Sequence, residues 1–290
     1  MQYEGRIYRP PSEASSLIVQ VTVGCTHNGC TFCEMYKAKQ FRVKLFEEIL
    51  ADMQKARRTY RHVERIFFAD GDVLCMETDE LLRLLDTAHE IFPECTRVGA
   101  YSRPTQILQK SEEELLRLTK AGLGIVYIGA ESGSDTVLRR VNKGESAEQT
   151  IEAVRKAKCV GIKTSVTFIL GLGGKELMEE HAIKTGDAIS AMGATYVGLL
   201  SLMLSPYTPL YADVSSGAFV PLTARETVKE LEMIIANTNC VHETILRSNH
   251  ASNWFVLSGV LPSDKERMLQ QIRAAMKDES VLRADENRRL

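Results

Sequence analysis

The 290-residue sequence lacks the features that mark several classes of protein. Its formal net charge is only −2, so it has no excess of basic residues with which to attract nucleic acid or an anionic membrane. No apolar run reaches the roughly 18 residues of a membrane-spanning helix. The first 15 residues also lack the basic and then apolar layout of an export signal. We therefore expect a cytoplasmic protein that acts on neither nucleic acid nor membrane.

Internal repeats and low-complexity tracts are absent as well, and the composition is that of a globular protein. Hydrophobic residues make up 44% of the chain and charged residues 26%. The sequence contains seven cysteines. In a reducing cytoplasm, closely spaced cysteines indicate a metal site or catalysis rather than disulfides.

Short apolar or β-branched runs alternate with longer stretches of helical periodicity. Six strands separated by helices predict a mostly parallel sheet with the helices on its outside. Periodicity does not distinguish an open, doubly wound sheet from a barrel. The predicted strands are residues 16–23, 63–69, 97–101, 124–130, 163–170 and 195–204, and the helices between them are residues 43–60, 79–91, 111–121, 147–159 and 176–192.

The pattern changes after the sixth predicted strand. Residues 205–221 are rich in proline and turn-forming residues, which predicts a long loop. Two further helices are predicted on either side of a polar and aromatic segment at residues 245–259. We therefore predict a core at residues 1–210 and an α-rich C-terminal extension at residues 211–290 that packs on this core.

The strongest signal is a cysteine cluster in a glycine-containing loop that follows the first predicted strand. Cys25, Cys30 and Cys33 fall within nine residues. Three thiolates on one short loop can converge on a metal ion or an iron–sulfur cluster without help from distant backbone. A [4Fe–4S] cluster normally has four cysteine ligands. Three cysteines would therefore leave one iron open to a ligand from outside the protein.

Zinc is the alternative that these residues leave open. His27 can add a fourth ligand and complete a Cys₃His site. Structural zinc sites usually pair two ligand clusters. Here a single cluster stands at the C-terminal end of a predicted parallel strand, where α/β folds place their chemistry. The competing hypothesis is a zinc-stabilised α/β protein that binds a ligand or a partner without redox activity.

The cysteine loop resembles the cluster motif of the radical S-adenosylmethionine (SAM) superfamily. The usual motif is C-x₃-C-x-aromatic-C. This chain has C-x₄-C and then Phe32 directly before Cys33, so the first gap is one residue longer. Further motifs follow in the family's order over residues 16–210. They resemble the branch that contains methylthiotransferases, Elongator subunit 3 and oxygen-independent coproporphyrinogen oxidases. The resemblance implies a partial (β/α)₆ barrel of the TIM type.

Two strand ends carry residues that match weaker parts of the family pattern. Asp70, Gly71 and Asp72 stand where the family has a Gly-Gly-Glu turn that receives the SAM amino group. An acidic turn can bind an ammonium by charge-assisted hydrogen bonds, although the same residues alone are typical of an ordinary strand–helix loop with a capping aspartate. Ser102, after the third predicted strand, resembles a ribose-contacting position.

The most family-specific stretch follows the fourth predicted strand, at the residues GAESGSD and the NKG after them. Glu131 resembles a polar SAM-contacting position, and Lys143 resembles a basic position that pairs with the SAM carboxylate. Because SAM carries both an ammonium and a carboxylate, its site needs charges of both signs. After the fifth predicted strand, Gly171 opens a glycine-rich turn that resembles the family's Gly-x-Pro-Gly-Glu, in which glycine lets the backbone approach the adenosine.

The resemblance implies a radical SAM enzyme, an oxidoreductase. The three cysteines would hold a [4Fe–4S] cluster whose fourth iron binds SAM. One electron, from a donor such as flavodoxin or ferredoxin, would cleave SAM to methionine and a 5′-deoxyadenosyl radical that abstracts hydrogen from a substrate. The chain shows no second close set of cysteines, so no auxiliary cluster is expected. Its charge argues against tRNA and favours a small-molecule substrate.

No motif marks the catalytic residues for the substrate step. Tyr101, at the end of the third predicted strand, is expected to face the cofactor or the substrate. His250 can move protons near neutral pH. It lies in residues 247–254, a polar run that predicts either a cap over the barrel mouth that contacts substrate or a hydrogen-bonded turn that joins two helices. A degenerate scaffold that only binds or escorts a ligand is a third hypothesis, which the intact cysteine triad disfavours.

Overall fold

The structure is a computed structural model that describes residues 1–289 and divides into two compact units. The chain passes between these units several times, so the division does not follow sequence order. The predicted boundary at residue 210 stays a prediction. Unit one comprises residues 1–28, 35–128 and 156–164, and unit two comprises residues 29–34, 129–155 and those from 165 onward.

Unit one contains a parallel sheet. Its strands are β1 (Leu17–Gln20), β4 (Arg65–Ala69), β5 (Arg97–Tyr101) and the larger part of β6 (Leu123–Glu131), hydrogen-bonded in that order. Central residues such as Val19, Phe67 and Val98 are fully buried. This burial fits the continuous apolar runs of strands that are covered on both faces. A short antiparallel pair, β2 (Thr22–Val23) and β3 (Arg42–Val43), flanks the cysteine loop in sequence.

The helices of unit one form because their apolar residues recur at helical spacing. In α1, Ile49, Met53 and Ala56 are buried on one face. The capping box predicted at the start of α4 is confirmed: Ser111 Oγ accepts a hydrogen bond from the Glu114 N–H at 3.1 Å, and Glu114 Oε2 accepts one from the Ser111 N–H at 2.7 Å. The helices are α1 (Phe46–Thr59), α2 (Thr78–Ile91), α3 (Pro104–Gln109) and α4 (Glu112–Lys120).

Unit two contains most of β7 (Lys163–Leu170), together with β8 (Tyr196–Ser201), β9 (Thr244–Ser248) and β10 (Leu257–Leu261). The first three are parallel to one another, and β10 pairs with β9 in the antiparallel direction. Its helices are α5 (Asp135–Arg140), α7 (Met178–Met192), α8 (Pro209–Ser216), α9 (Ala224–Asn237) and α10 (Lys265–Lys277), and α6 (Ala147–Cys159) runs from unit two into unit one. Over residues 1–289, no helix combines the length and the apolar character that crossing a membrane requires.

One expectation about the C-terminal third was wrong. Residues 205–221 are not one long loop, because α8 covers Pro209–Ser216 and is capped by Gly217, which has a φ of 80°. Residues 245–259, to which the sequence assigned no helix or strand, contain strand residues of both β9 and β10. The alternation of apolar and polar residues did not indicate β9, because the buried face of this strand includes the polar residues Thr244 and Ser248.

Candidate active site

The three cysteines lie in the loop between β2 and β3, and all three are half-buried. Cys25 belongs to unit one, whereas Cys30 and Cys33 belong to unit two. Among residues 1–289, no three Cys, His, Asp or Glu side chains are gathered into a ready-made metal site. The donor set still fits an iron–sulfur cluster, because partly exposed thiols on one irregular loop can be drawn together as the cluster is assembled.

In unit one, the Asp70–Asp72 turn supports the start of this loop. The carboxylate of Asp70 is fully buried, and its Oδ2 accepts hydrogen bonds from the Gly24 N–H at 3.2 Å and from Lys39 Nζ at 2.5 Å. Asp72 Oδ2 accepts one from Thr26 Oγ1 at 2.5 Å. The turn therefore holds the residues on either side of Cys25.

Gly71 provides the space that Cys25 occupies. A Cβ atom at Gly71 would lie 3.0 Å from the Cys25 Cβ and 2.8 Å from the Tyr36 ring. Any side chain at this position would therefore displace the loop. One oxygen of the turn, Asp70 Oδ1, is buried without a hydrogen-bond partner among residues 1–289. It is the atom of the turn that a ligand amine would satisfy.

Ser102 and Tyr101 follow at the end of β5 in unit one. Ser102 is buried, and its hydroxyl donates to the Arg103 carbonyl at 3.0 Å. The Tyr101 ring packs edge-to-face on Phe67 with the ring centres 5.0 Å apart. Burial raises the pKa of the Tyr101 phenol well above its usual range, so this side chain stays protonated at any physiological pH. Its role in catalysis stays a prediction.

In unit two, the segment that carries Cys30 and Cys33 is fastened by side-chain packing and by backbone. Phe32 packs against a buried cluster formed by Val137, Val141 and Leu172. The Thr31 N–H donates to the Val141 carbonyl at 2.9 Å. The aromatic residue of the motif is therefore an anchor that ties the cysteine segment to α5.

A buried charge cluster lies beside Cys30. Lys143 Nζ is 3.3 Å from Glu131 Oε1 and 3.9 Å from Glu145 Oε2. Burial alone would lower the pKa of Lys143. The negative charges of Glu131, Cys30 and Glu145 outweigh that effect and raise the pKa above its usual value. The charge of Lys143 is complementary to that of a metal-binding cysteine thiolate.

Glu131 is held in an uncommon conformation at the end of β6. Its φ is 66°, in the left-handed region that non-glycine residues rarely adopt. Burial raises the pKa of its carboxyl above the usual range, and the Lys143 charge opposes that rise. Glu131 and Lys143, each singled out in the sequence as a SAM-contacting position, are thus brought together as an ion pair.

The turn after β7 is fixed by two residues that the sequence did not reveal. Gly171 has a φ of 82°, and its N–H donates to Glu230 Oε2 at 2.6 Å. His181 joins the ends of β6 and β7, since its Nδ1 lies 2.7 Å from Ser132 Oγ and its Nε2 lies 3.1 Å from the Ile169 carbonyl. Burial lowers the pKa of His181 to about 4, so the ring is neutral, with the proton on Nε2 facing the carbonyl.

No pattern identifies Glu230 or His181 in advance. Each occupies a buried position on an otherwise amphipathic helix, and its partners lie at or just after the ends of β6 and β7. Glu145 was missed for a different reason, because it stands just outside the NKG motif that drew attention to Lys143.

The polar run at residues 247–254 ends β9 and begins the hydrogen-bonded turn to β10, so it joins two strands and not two helices as the turn hypothesis expected. Asn253 is buried, and its side chain hydrogen-bonds the backbone of β8. Its Oδ1 accepts from the Ser201 N–H at 2.6 Å, and its Nδ2 donates to the Leu199 carbonyl at 2.8 Å. His250 Nδ1 accepts from the Ser252 N–H at 3.1 Å. Burial, reinforced by Arg283, lowers the pKa of His250. Its predicted catalytic role is not tested.

Comparison with known proteins identifies the family. Residues 19–185, more than half of the chain, match the model of the radical SAM superfamily. The chain belongs to the radical SAM superfamily. The cofactors of this family are a [4Fe–4S] cluster and SAM, as predicted. The fold is also as predicted, because solved radical SAM enzymes share the mostly parallel α/β fold of a partial TIM barrel.

Three similar proteins illustrate the range of the matches. The chain is 21% identical to the heme chaperone HemW of Bacillus subtilis over 227 residues, which cover 75% of this chain and 58% of HemW. It is 27% identical over 177 residues to the tRNA-2-methylthio-N(6)-dimethylallyladenosine synthase of Nitrosomonas europaea, covering 57% of this chain and 39% of that one. The methyltransferase TsrM of Kitasatospora setae, solved with cobalamin and a [4Fe–4S] cluster bound, has a TM-score of 0.57 at 21% identity, covering 70% of this chain and 39% of that one.

The matched region is only part of most of these relatives. Two curated proteins at 26% identity are covered over just 35% and 23% of their own lengths. The likeness therefore belongs to the shared radical SAM domain, and it leaves the substrate of this chain open.

Proposed function

We propose that this protein is a radical SAM enzyme that acts on a small-molecule substrate. The proposal rests chiefly on the Glu131–Lys143 pair, which places one charge of each sign in a buried position beside Cys30. SAM carries a carboxylate, which the buried Lys143 cation can bind by charge-assisted hydrogen bonds.

The protein's own residues hold and shield the cofactors. Cys25, Cys30 and Cys33 ligate the cluster, and Phe32 fixes the segment that carries the last two of them. When bound, the cluster supplies one electron that cleaves SAM reductively to methionine and a 5′-deoxyadenosyl radical, which abstracts hydrogen from the substrate. A low-potential donor such as flavodoxin or ferredoxin supplies that electron.

Other residues bind and orient SAM. Lys143 binds the SAM carboxylate. Glu131 lies within reach of other polar groups of SAM. The Asp70, Gly71 and Asp72 turn receives the amino group, with the unpartnered Asp70 Oδ1 as an available acceptor. Ser102 contacts the ribose of SAM, and the Gly171 turn contacts the adenosine. The protein thus supplies binding and orientation, and the cofactors supply the chemistry.

The experiment that tests this function is SAM cleavage by the anaerobically reconstituted protein with dithionite as reductant. We expect 5′-deoxyadenosine and methionine to form in equal amounts. The control is the same protein without reductant, which should form neither product. A fully reconstituted protein that binds SAM but releases no 5′-deoxyadenosine over many hours contradicts the proposed function.

Replacement of Lys143 by glutamine should weaken SAM binding by about 10- to 100-fold. The variant loses a charge-assisted hydrogen bond, which contributes roughly 1.5–3 kcal/mol. Isothermal titration of the reconstituted protein with SAM measures the change. Lys143→Arg keeps the cation and should bind SAM within a few-fold of the wild-type affinity.

Lys158→Gln is the matched control, because Lys158 is exposed in the last turn of α6. Its affinity for SAM should equal that of the wild type. Iron content is measured on all three variants, so that a lost cluster is not mistaken for lost SAM binding. An unchanged dissociation constant in Lys143→Gln with the cluster intact would show that Lys143 does not bind the SAM carboxylate.

A further inference from the structure

One face of the β7–β10 sheet in unit two is partly exposed and carries a row of polar residues among apolar ones. On the other face, Val166, Val197 and Leu246 are buried to 1% exposure or less. Side chains alternate between the two faces of a strand. The residue after each of these three therefore points to the opposite face, and these residues are Thr167, Gly198 and Arg247.

The register of the strands places these residues in one line. Thr167 pairs with Gly198, Gly198 pairs with Arg247, and Arg247 pairs with Ser258 of β10. Neighbouring strands lie about 4.8 Å apart, so paired residues are adjacent across the sheet. Arg247 and Ser258 are exposed, and Thr167 is half-buried. This polar row, Thr167–Gly198–Arg247–Ser258, offers a cation between two hydroxyl groups.

Arg247 has no anion of the protein to neutralise it. Within residues 1–289, no carboxylate lies within ion-pair distance of its guanidinium. Its one recorded contact is with the ring of Tyr196, whose centre is 5.9 Å from Arg247 Cζ. A cation–π contact at this distance is weak, and it leaves the guanidinium N–H groups available to a ligand.

Gly198 leaves a gap in the middle of the polar row. A Cβ atom built there would meet nothing closer than 3.7 Å, and one of those nearest atoms is Thr167 Oγ1. The gap lies against the Thr167 hydroxyl, and Arg247 is the residue paired with Gly198 on the neighbouring strand. A small charged group can therefore reach the guanidinium and the hydroxyl at the same time.

We propose that the polar row binds an oxyanion of the substrate, a carboxylate or a phosphate, with Arg247 as its principal contact. This inference rests on the proposed function, because it takes the partly exposed sheet face as the place where substrate binds. The planar guanidinium fork matches two oxygens of either group. Thr167 precedes Gly171 by four residues, roughly 13 Å along an extended strand. The substrate is therefore elongated, with its anionic end held away from the strand ends that bind SAM.

Protection of Arg247 from phenylglyoxal tests the inference without knowledge of the substrate. The reconstituted full-length chain is treated anaerobically with the reagent, and modification at each arginine is followed by peptide mass spectrometry. Inorganic phosphate and succinate serve as the probes. We expect at least one of them, at millimolar concentration, to slow modification of Arg247 at least fivefold. Stronger protection by succinate assigns a carboxylate, and stronger protection by phosphate assigns a phosphate ester.

Two matched comparisons make the result specific. Arg58 is also exposed, and no ion pair to it is found within residues 1–289, so its modification should not respond to either anion. Gly198→Val fills the gap, and Thr167→Val removes the hydroxyl with little change in volume. Each should reduce the protection of Arg247 at least threefold.

Two outcomes overturn the inference. One is an Arg247 rate that does not change with either anion. The other is protection that survives unchanged in both valine variants. The SAM-cleavage assay reports separately on the proposed function. A protein that cleaves SAM but shows no protection therefore refutes the anion site alone, and one that shows protection but never cleaves SAM refutes the enzymatic role.

Discussion

Cys30→Ala should yield a protein that holds no [4Fe–4S] cluster and forms no 5′-deoxyadenosine. Two cysteines cannot retain a cluster that this loop must bind with three, since a [4Fe–4S] cluster is held by thiolate ligands. We expect iron to fall from about four per chain to less than about one after anaerobic reconstitution. Iron analysis, cluster absorbance and the SAM-cleavage assay measure the effect.

Cys159→Ala is the matched control, because this cysteine is exposed on α6 and lies in no motif. It should keep wild-type iron content and activity. Circular dichroism of the Cys30→Ala chain checks that its fold is retained. Undiminished cluster absorbance in Cys30→Ala would remove Cys30 from the ligand set.

Glu230→Gln should stabilise the protein at neutral pH and leave its stability at pH 4 unchanged. Burial raises the pKa of Glu230 from 4.5 to about 8, and the hydrogen bond from the Gly171 N–H only partly opposes this shift. The folded chain then keeps a proton that the unfolded chain releases above pH 4.5. The wild type therefore loses stability as the pH rises from about 4.5 to about 8. Glu230→Gln should therefore raise the free energy of unfolding by on the order of 3 kcal/mol at pH 7, since each pKa unit corresponds to 1.36 kcal/mol.

Glutamine suits this test because it changes little else. Its amide oxygen can accept the Gly171 N–H as Glu230 Oε2 does. Its NH₂ takes the place of Oε1, which has no partner among residues 1–289. The free energy of unfolding is measured in urea at pH 4, 7 and 8 for the wild type and the variant, in the same cluster state.

Glu232→Gln, two residues along α9, is the control for Glu230→Gln. Its carboxylate accepts from Arg273 Nε at 2.6 Å in a partly exposed ion pair. Such pairs contribute about 1 kcal/mol or less. If Glu230→Gln raised the free energy of unfolding equally at pH 4 and at pH 8, the effect could not be assigned to a raised pKa.

The features that the sequence predicted well are local ones. The strand β5 and the helices α6 and α9 are predicted by hydrophobic periodicity over about a dozen residues. The capping box at Ser111 is predicted by two residues that lie three positions apart. The cysteine loop is equally local, since its three thiols lie within nine residues. These patterns need no knowledge of tertiary packing.

The features that the sequence did not predict depend on contacts between distant residues. Glu230 meets Gly171 across 59 positions of the chain, and Asn253 meets Ser201 across 52. The sequence offered a SAM contact or a capping role for the Asp70 turn, and neither reveals that the buried Asp70 carboxylate binds Lys39, 31 residues away. A buried polar residue needs a partner, but the sequence does not show which one the fold will bring to it.

The metal content of the anaerobically purified and reconstituted chain tests the central claim most directly. The account predicts about four irons and four sulfides per chain, the content of one [4Fe–4S] cluster, with no stoichiometric zinc. A colourless, oxygen-stable protein that holds about one zinc and takes up no iron would contradict it. In that case Cys25, Cys30 and Cys33 would form a structural site, and the charge cluster at Lys143 would need a different ligand.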